Sequence, residues 1–289
     1  MTEPALLDPD RLVPSGWATH TPDPQRGEAW RQSHHAIRLV SNVSGMWGEP
    51  TASGSHLALR WHSGARALVG PEIRGSGTNF RVGYRFADPA FLLCDTSFAT
   101  LQQFEIGGRK LTEARGWLYE RAEKLAGGSA RHDLQAQPRL GLHPIEEGAA
   151  FGDACPDGFR SVGRAYANAH HVLGLLRAEL DQHDASIVCR PECMGMSCSL
   201  EVTDDDGDER RLRVGLSPGG DRREFAYWFV EPLPQVTVAP AEALSIGQWI
   251  TKGPLVAALD HTEVTELANG ADQARRVASF LCEAIAALN

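Results

Sequence analysis

The 289-residue sequence lacks several features that would place it in a specialised class. It has no apolar run of about 18 residues, the length that predicts a membrane-spanning helix. Its first residues carry neither a basic start nor an apolar stretch, so we expect no secretory leader. Basic residues number 28 against 37 acidic ones, which gives a formal net charge of −9. This acidic balance opposes contact with phosphate backbones, so nucleic acid is not an expected partner.

The remaining composition is that of an ordinary globular protein, with 42% hydrophobic and 22% charged residues. A chain of this length predicts one large domain or two of ordinary size. Without a leader or a membrane span, we expect a cytoplasmic protein, a compartment in which thiols stay reduced. The 6 cysteines are therefore expected to serve packing, catalysis or metal binding rather than disulfides. The sequence carries no indication of oligomeric state.

The two halves of the sequence share a set of matching residues in the same order. The matches are Val69-Gly70 with Val214-Gly215, Gln103-Phe104 with Gln248-Trp249, and His34-His35 with His170-His171. The first two matches are 145 positions apart and the third is 136 positions apart. Because the order is constant and the gaps fall where turns are expected, we interpret the pattern as a tandem duplication.

Hydrophobic periodicity changes in the same order in each half. Helical spacing, over 27–43 in the first half, is followed by alternating stretches such as 55–61 and 197–203 and then by a second helical stretch. The sequence therefore predicts an α+β fold that duplicates a helix–antiparallel meander–helix unit, with helices on one face of a long or paired antiparallel sheet. The predicted segments are an N-terminal extension (1–27), a first repeat (28–127), a linker (128–159) and a second repeat (160–289).

A family resemblance rests on the stretch VGLSPGGDRREFAYWFVEPLP, residues 214–234. It resembles part of an uncharacterised bacterial family, the domain of unknown function numbered 5996, in which a Gly-Gly turn leads into an aromatic strand ending in Glu-Pro. The order of helices and meanders over most of residues 28–288 resembles that family as well. The resemblance implies a bacterial cytoplasmic protein, and it implies no activity because the family has none assigned.

Three of the cysteines, Cys189, Cys193 and Cys198, fall within the ten residues CRPECMGMSC. Zinc or another transition metal is one interpretation, but zinc usually needs four ligands and this stretch offers three thiolates. The alternative is that Cys189 and Cys198 pack in strands as small apolar residues. No cofactor is therefore predicted, and a metal at these three cysteines stays open.

Nucleophilic chemistry is a further interpretation of the same stretch. Cys193 follows Arg190-Pro191 at an expected bend and is the most exposed of the three cysteines by pattern. A reactive thiol needs a base or a cation nearby, and His171 on the preceding helix is the candidate.

The recurrent histidine pairs are the other candidate site. Neighbouring helical residues point about 100° apart, so one histidine of each pair can face a given cleft. If the halves are related by a pseudo-twofold axis, His35 and His171 approach each other and could bind a metal or move a proton. The alternative is that each histidine is satisfied within its own half. Glu231, at a strand end before Pro232, is a candidate acid–base carboxylate.

Two classes of function remain open from the sequence. The first is an enzyme acting on a small molecule in a cleft between the repeats, using His35, His171, Cys193 and Glu231. The second is a non-catalytic ligand-binding or scaffold protein with an aromatic surface. The aromatic residues of that surface would be Tyr227, Trp228, Phe229 and Trp249.

Overall fold

The computed structural model describes residues 7–133, 140–152, 155–203, 207–219 and 225–289. The predicted α+β class is confirmed, since these residues form α-helices and two antiparallel sheets. The chain divides into two compact units. The α1 unit comprises Asp23–Gly163 and Val188–Met194, and the α5 unit comprises Met1–Pro22, Arg164–Ile187 and Gly195–Asn289. No helix in the described residues is both long and apolar enough to cross a membrane.

The elements of the α1 unit occur in the following order along the chain. Helix α1 (Arg26–Trp47) is followed by a 3-10 turn (Ser55–Leu57) and by five strands, and α2 (Leu111–Ala126) comes next. The strands are β1 (Arg60–His62), β2 (Ala67–Val69), β3 (Arg81–Arg85), β4 (Ala90–Cys94) and β5 (Thr100–Glu105). They form one antiparallel sheet in the order β1-β2-β3-β4-β5. Helix α3 (Pro156–Glu179) begins in this unit, and the short strand β6 (Val188–Cys189) also belongs to it.

Local sequence explains where the helices of this unit begin and end. Helix α1 stops at Gly48, whose N–H donates to the Ser44 carbonyl at 2.9 Å. Helix α2 starts with a capping interaction in which Glu113 accepts from the Lys110 N–H at 2.9 Å. It ends at Gly127, whose φ of +76° is the left-handed conformation that glycine adopts without strain.

The sheet of the α1 unit is buried on both faces along β4, where all five residues are buried. On one face, Leu92 and Cys94 pack in a cluster with Ala67 and Val69. On the helical face, α1 packs on β3, and Ser33 Oγ lies 3.1 Å from the Tyr84 hydroxyl. This buried hydrogen bond ties α1 to β3.

The α5 unit holds the remaining strands and helices. Its strands are β7 (Met196–Thr203), β8 (Glu209–Ser217), β9 (Tyr227–Leu233), β10 (Gln248–Ile250) and β11 (Val256–Asp260). They run antiparallel in the order β10-β11-β9-β8-β7. Helix α4 (His261–Thr265) and helix α5 (Gly270–Leu288) follow, and a 3-10 turn (Pro9–Leu12) lies in the N-terminal segment. Helix α5 packs on β9 and β11, and Asn269 caps it by accepting from the Asp272 N–H at 2.9 Å.

The internal duplication is not confirmed by the topology. The matched residues do fall in comparable strands, with Gln103 in edge strand β5 and Gln248 in edge strand β10. However, β4 precedes β5 in the chain, whereas β11 follows β10 and lies between β10 and β9. The last two strands of the two sheets therefore occur in opposite chain order. Residues 220–224 of the family-like stretch lie outside the described residues.

Candidate functional site

The adjacent histidines of α1 point to different surroundings, as the helical rotation of about 100° per residue requires. His34 Nε2 lies 2.8 Å from the Pro191 carbonyl, so its N–H donates to the turn that carries Cys193. His35 instead faces Glu146, and its Nδ1 lies 3.6 Å from Glu146 Oε1. Only His35 of this pair lines the cleft described below.

His35 has a second buried histidine beside it. Its ring centroid lies 5.3 Å from that of His143, and the two rings are 6% and 7% exposed. His143 Nε2 lies 3.1 Å from Glu28 Oε1, while His143 Nδ1 accepts from the Ile145 N–H at 3.3 Å. These two contacts fix the His143 tautomer, with the proton on Nε2 donated to Glu28.

Glu28 accepts the hydrogen bonds that hold this arrangement together. Gln32 Nε2 donates to its Oε1 at 2.8 Å and Arg31 donates to its Oε2 at 3.0 Å, while Gln32 Oε1 accepts from the Gly152 N–H at 2.8 Å. Burial raises the pKa of Glu28, but the hydrogen bonds from Gln32, Arg31 and His143 outweigh burial and lower it. Glu28 therefore stays ionised and holds His143 in place at neutral pH.

The same surroundings keep His35 neutral. Burial lowers its pKa to about 4, and the nearby His143 and Arg38 add to that decrease. At neutral pH His35 consequently offers an uncharged imidazole with one donor and one acceptor nitrogen.

An open cleft of about 350 Å³ lies in front of His35. One face of α1 supplies half of its lining at helical spacing: His35, Arg38, Leu39 and Asn42. The opposite wall comes from the start of α2 and from the segment that follows residue 139. These wall residues are Leu111, Leu140, Leu142 and Glu146.

The polar groups of the cleft interact with one another. Burial lowers the pKa of the Arg38 guanidinium, and attraction to Glu146 acts in the opposite direction. An arginine remains charged under such a shift, so the cleft contains a cation and an anion in proximity. Asn42 Nδ2 donates to the Tyr119 hydroxyl at 3.3 Å, which holds its amide at one end of the lining.

The cysteine stretch forms a turn in the α1 unit. Cys189 is buried and exchanges backbone hydrogen bonds with Leu59 at 2.7 and 2.9 Å, while Cys193 is exposed after the Pro191 turn. His34 contacts this turn, and the expected approach of His171 to Cys193 stays a prediction. Cys198 is buried on β7 in the α5 unit, where burial raises its pKa to about 12.

In the part of the chain that the structure describes, no group of three or more His, Cys, Asp or Glu side chains is arranged to hold a metal ion. The metal interpretation of Cys189, Cys193 and Cys198 stays a prediction without a structural observation in its favour.

The other candidate residues lie in the α5 unit. His171 is exposed on α3, and the expected approach of His35 and His171 stays a prediction. Glu231 is a buried residue of β9 that forms an ion pair with Arg213, its cross-strand neighbour on β8. The Arg213 guanidinium also lies 5.9 Å from the Phe229 ring. Glu231 thus contacts a cation within its own sheet, and its catalytic role remains a hypothesis.

Sequence reasoning missed most of the cleft. Residues 128–159 were interpreted as a linker, yet His143 and Glu146 from this stretch face α1. One signal was available, namely the polar residues His35, Arg38 and Asn42, which recur at helical spacing along α1.

Comparison with known proteins adds no relative, since no family model, no curated protein and no solved structure matches the chain. The resemblance to the uncharacterised bacterial family therefore stays a prediction.

The exposed position of Cys193 predicts selective thiol labelling. Under native conditions we expect one of the 6 thiols to react rapidly with a disulfide reagent, because the other five are buried. Burial raises the pKa of Cys155 to about 11 and that of Cys282 to about 12, which suppresses the reactive thiolate. Time-resolved thiol titration of the full chain measures this, and Cys193→Ser is expected to remove the fast phase. A fast phase that survives in Cys193→Ser would contradict the assignment.

Proposed function

We propose that this protein binds a small molecule in the cleft in front of α1. The observation that carries the proposal is the composition of the cleft, in which leucine walls surround a few polar groups that converge near His35. Small-molecule sites are typically apolar cavities with a small number of placed polar groups, and their volumes run from about 300 to 1,000 Å³. The observed cleft of about 350 Å³ suits a compact metabolite better than a dinucleotide.

Acid–base catalysis in the same cleft is the second candidate function. A specific observation favours it, because Glu146 and His143 flank an imidazole that is neutral at neutral pH. A neutral imidazole with a carboxylate beside one ring nitrogen is the arrangement from which a general base acts. In this proposal His35 accepts a proton from the bound molecule, Glu146 stabilises the imidazolium that results, and His143 positions the ring.

The alternative of an aromatic recognition surface has less support. Trp228 is fully buried, and Tyr227 and Phe229 are 8% and 7% exposed, so these three rings present little surface to a partner. Trp249 is half-buried, and its indole N–H donates to the Glu242 carbonyl at 3.0 Å. The α1 cleft is therefore the better candidate for recognition.

Blocking the cleft tests the proposal. Leu111, at the start of α2, lines the cleft, so a tryptophan there fills space that a ligand would occupy. The neighbouring Thr112 is exposed and points about 100° away on the same helix, so Thr112→Trp is a matched control. The measurement is ligand-observed NMR of the full chain against a panel of small carboxylic acids, amines and alcohols.

We expect Leu111→Trp to weaken binding of the panel compounds by at least about tenfold, whereas Thr112→Trp binds like the unmodified chain. Equal binding by both variants, or binding to none of the three proteins, would refute the proposal.

We also propose a cytoplasmic location, a bacterial origin and a tandem duplication. The cytoplasmic location rests on the family resemblance of residues 214–234, which implies a bacterial cytoplasmic protein. The bacterial origin rests on the resemblance of residues 214–234. A tandem duplication is supported by the matched residues in comparable strands, and it requires a later exchange in the order of the last two strands of one copy.

A further inference from the structure

We infer that the ligand of the α1 cleft is a small monoanion with a short apolar body, a carboxylic acid by class, and that Glu146 occupies the position of its carboxylate. The inference rests on the proposed function, because it names the class of molecule that the same cleft binds. In this arrangement the Glu146 side chain is an intramolecular competitor that the ligand displaces.

The first support is that the charged groups that line the cleft favour a monoanionic ligand. Arg38 is the one lysine or arginine among the described residues that line the cleft. His35 adds no charge at neutral pH because burial lowers its pKa to about 4. A single guanidinium balances one carboxylate, and it can bind the two carboxylate oxygens together. A phosphate dianion would leave one charge unbalanced in a half-buried cleft.

The second support is that a carboxylate already occupies this place. Glu146 Oε1 lies 3.6 Å from His35 Nδ1, and attraction to Glu146 partly offsets the decrease that burial causes in the pKa of the Arg38 guanidinium. The cleft is therefore shaped to accept a carboxylate from its own chain. A ligand carboxylate can make the same contacts because they involve only the terminal group of the side chain.

The third support is that Glu146 can leave without disturbing the fold. Its side chain is 45% exposed, and it lies in the turn after His143, where the Glu146 N–H donates to the His143 carbonyl at 2.9 Å. Rotation of the side chain breaks no backbone hydrogen bond. The attraction between an exposed carboxylate and a nearby guanidinium contributes about 1 kcal/mol or less, so a ligand can outcompete it.

The leucines define the remainder of the ligand. Leu39, Leu111, Leu140 and Leu142 flank the polar groups and provide the apolar wall. Burial of an alkyl or aromatic body against this wall supplies the affinity that a lone carboxylate lacks. Free acetate would therefore bind more weakly than a longer acid.

The test uses hexanoate, hexanol and hexylamine, which share one alkyl chain and differ in the charge of the head group. Affinity for each probe is measured by ligand-observed NMR titration of the full chain. The variants are Glu146→Gln and Arg38→Leu. Their matched controls are Glu147→Gln, on the exposed neighbouring residue, and Arg115→Leu, on an exposed position of α2.

We expect the unmodified chain to bind hexanoate in preference to hexanol and hexylamine. Removal of the competing charge in Glu146→Gln is expected to tighten hexanoate binding by about three- to tenfold. Arg38→Leu is expected to weaken hexanoate binding by at least about tenfold, and both control variants are expected to leave it unchanged.

The outcomes separate this inference from the proposed function. If hexanoate binds with an affinity that Glu146→Gln leaves unchanged or weakens, the competitor role is refuted while the cleft remains a binding site. If hexylamine binds best and Glu146→Gln weakens it, the ligand is a cation and the inference is wrong. If none of the three probes binds, although Leu111→Trp blocks other panel compounds, the inference fails and the proposed function stands. If no panel compound binds either, both fail.

Discussion

Replacing Gln273 by leucine is expected to lower the free energy of unfolding by about 4 kcal/mol, since it leaves several buried polar groups without partners. Gln273, on α5, is fully buried. Its Oε1 accepts from the His20 N–H at 2.8 Å and from the Trp17 indole N–H at 3.2 Å. Its Nε2 donates to the carbonyls of His20 and Leu267 at 2.6 and 2.9 Å. One side chain thus ties the N-terminal segment to α5.

The control for this prediction is Gln248→Leu, which makes the same chemical change on an exposed residue of β10. We expect it to alter stability by no more than about 0.5 kcal/mol. Urea unfolding followed by circular dichroism measures both variants. Because the lost contacts hold Trp17 and His20, limited trypsin digestion at Arg11 should also become faster in Gln273→Leu. Equal stability of the two variants would show that the buried hydrogen bonds of Gln273 contribute little.

Acidification is expected to lower the free energy of unfolding of the unmodified chain by about 3 kcal/mol more than that of a His35→Gln variant. The difference arises because His35 takes up a proton in the unmodified chain and glutamine cannot. The pKa of His35 falls from 6.5 to about 4 on folding, chiefly through burial and then through His143 and Arg38. The folded state therefore binds fewer protons than the unfolded state in this window. The stability that neutral His35 contributes is complete above pH 6.5 and is lost as the pH falls towards 4. Below that value this contribution changes no further.

The measurement compares the free energy of unfolding at neutral pH and at about pH 4 in three proteins: the unmodified chain, His35→Gln and His183→Gln. His183 is an exposed histidine whose side chain is 68% accessible, and it pairs with exposed Asp181. Carboxylates such as Glu28 titrate in all three proteins and cancel in the comparison. We expect His183→Gln to follow the unmodified chain. If His35→Gln follows it as well, the pKa of His35 is not depressed by folding.

The helices illustrate what local sequence can predict. Apolar residues at helical spacing predicted a helix over 27–43, and α1 runs from Arg26 to Trp47. Alternation over 197–203 likewise predicted β7, which spans Met196–Thr203. Alternation over 55–61 also predicted a strand, but Ser55–Leu57 forms a 3-10 turn and β1 starts only at Arg60. Periodicity reports which side chains one element buries, so it succeeds where a single face meets the core.

The class of fold and the character of α1 were thus determined by the sequence itself, because helical and strand periodicities are local properties. The position of β11 between β9 and β10 was decided only by the tertiary structure, since strand order depends on contacts between distant segments. The candidate site was decided in the same way. His35 and Glu146 are separated by more than a hundred residues, and only folding brings Nδ1 and Oε1 to 3.6 Å. The pKa of His35 is depressed chiefly by burial in the folded chain, and His143 and Arg38 add to that decrease.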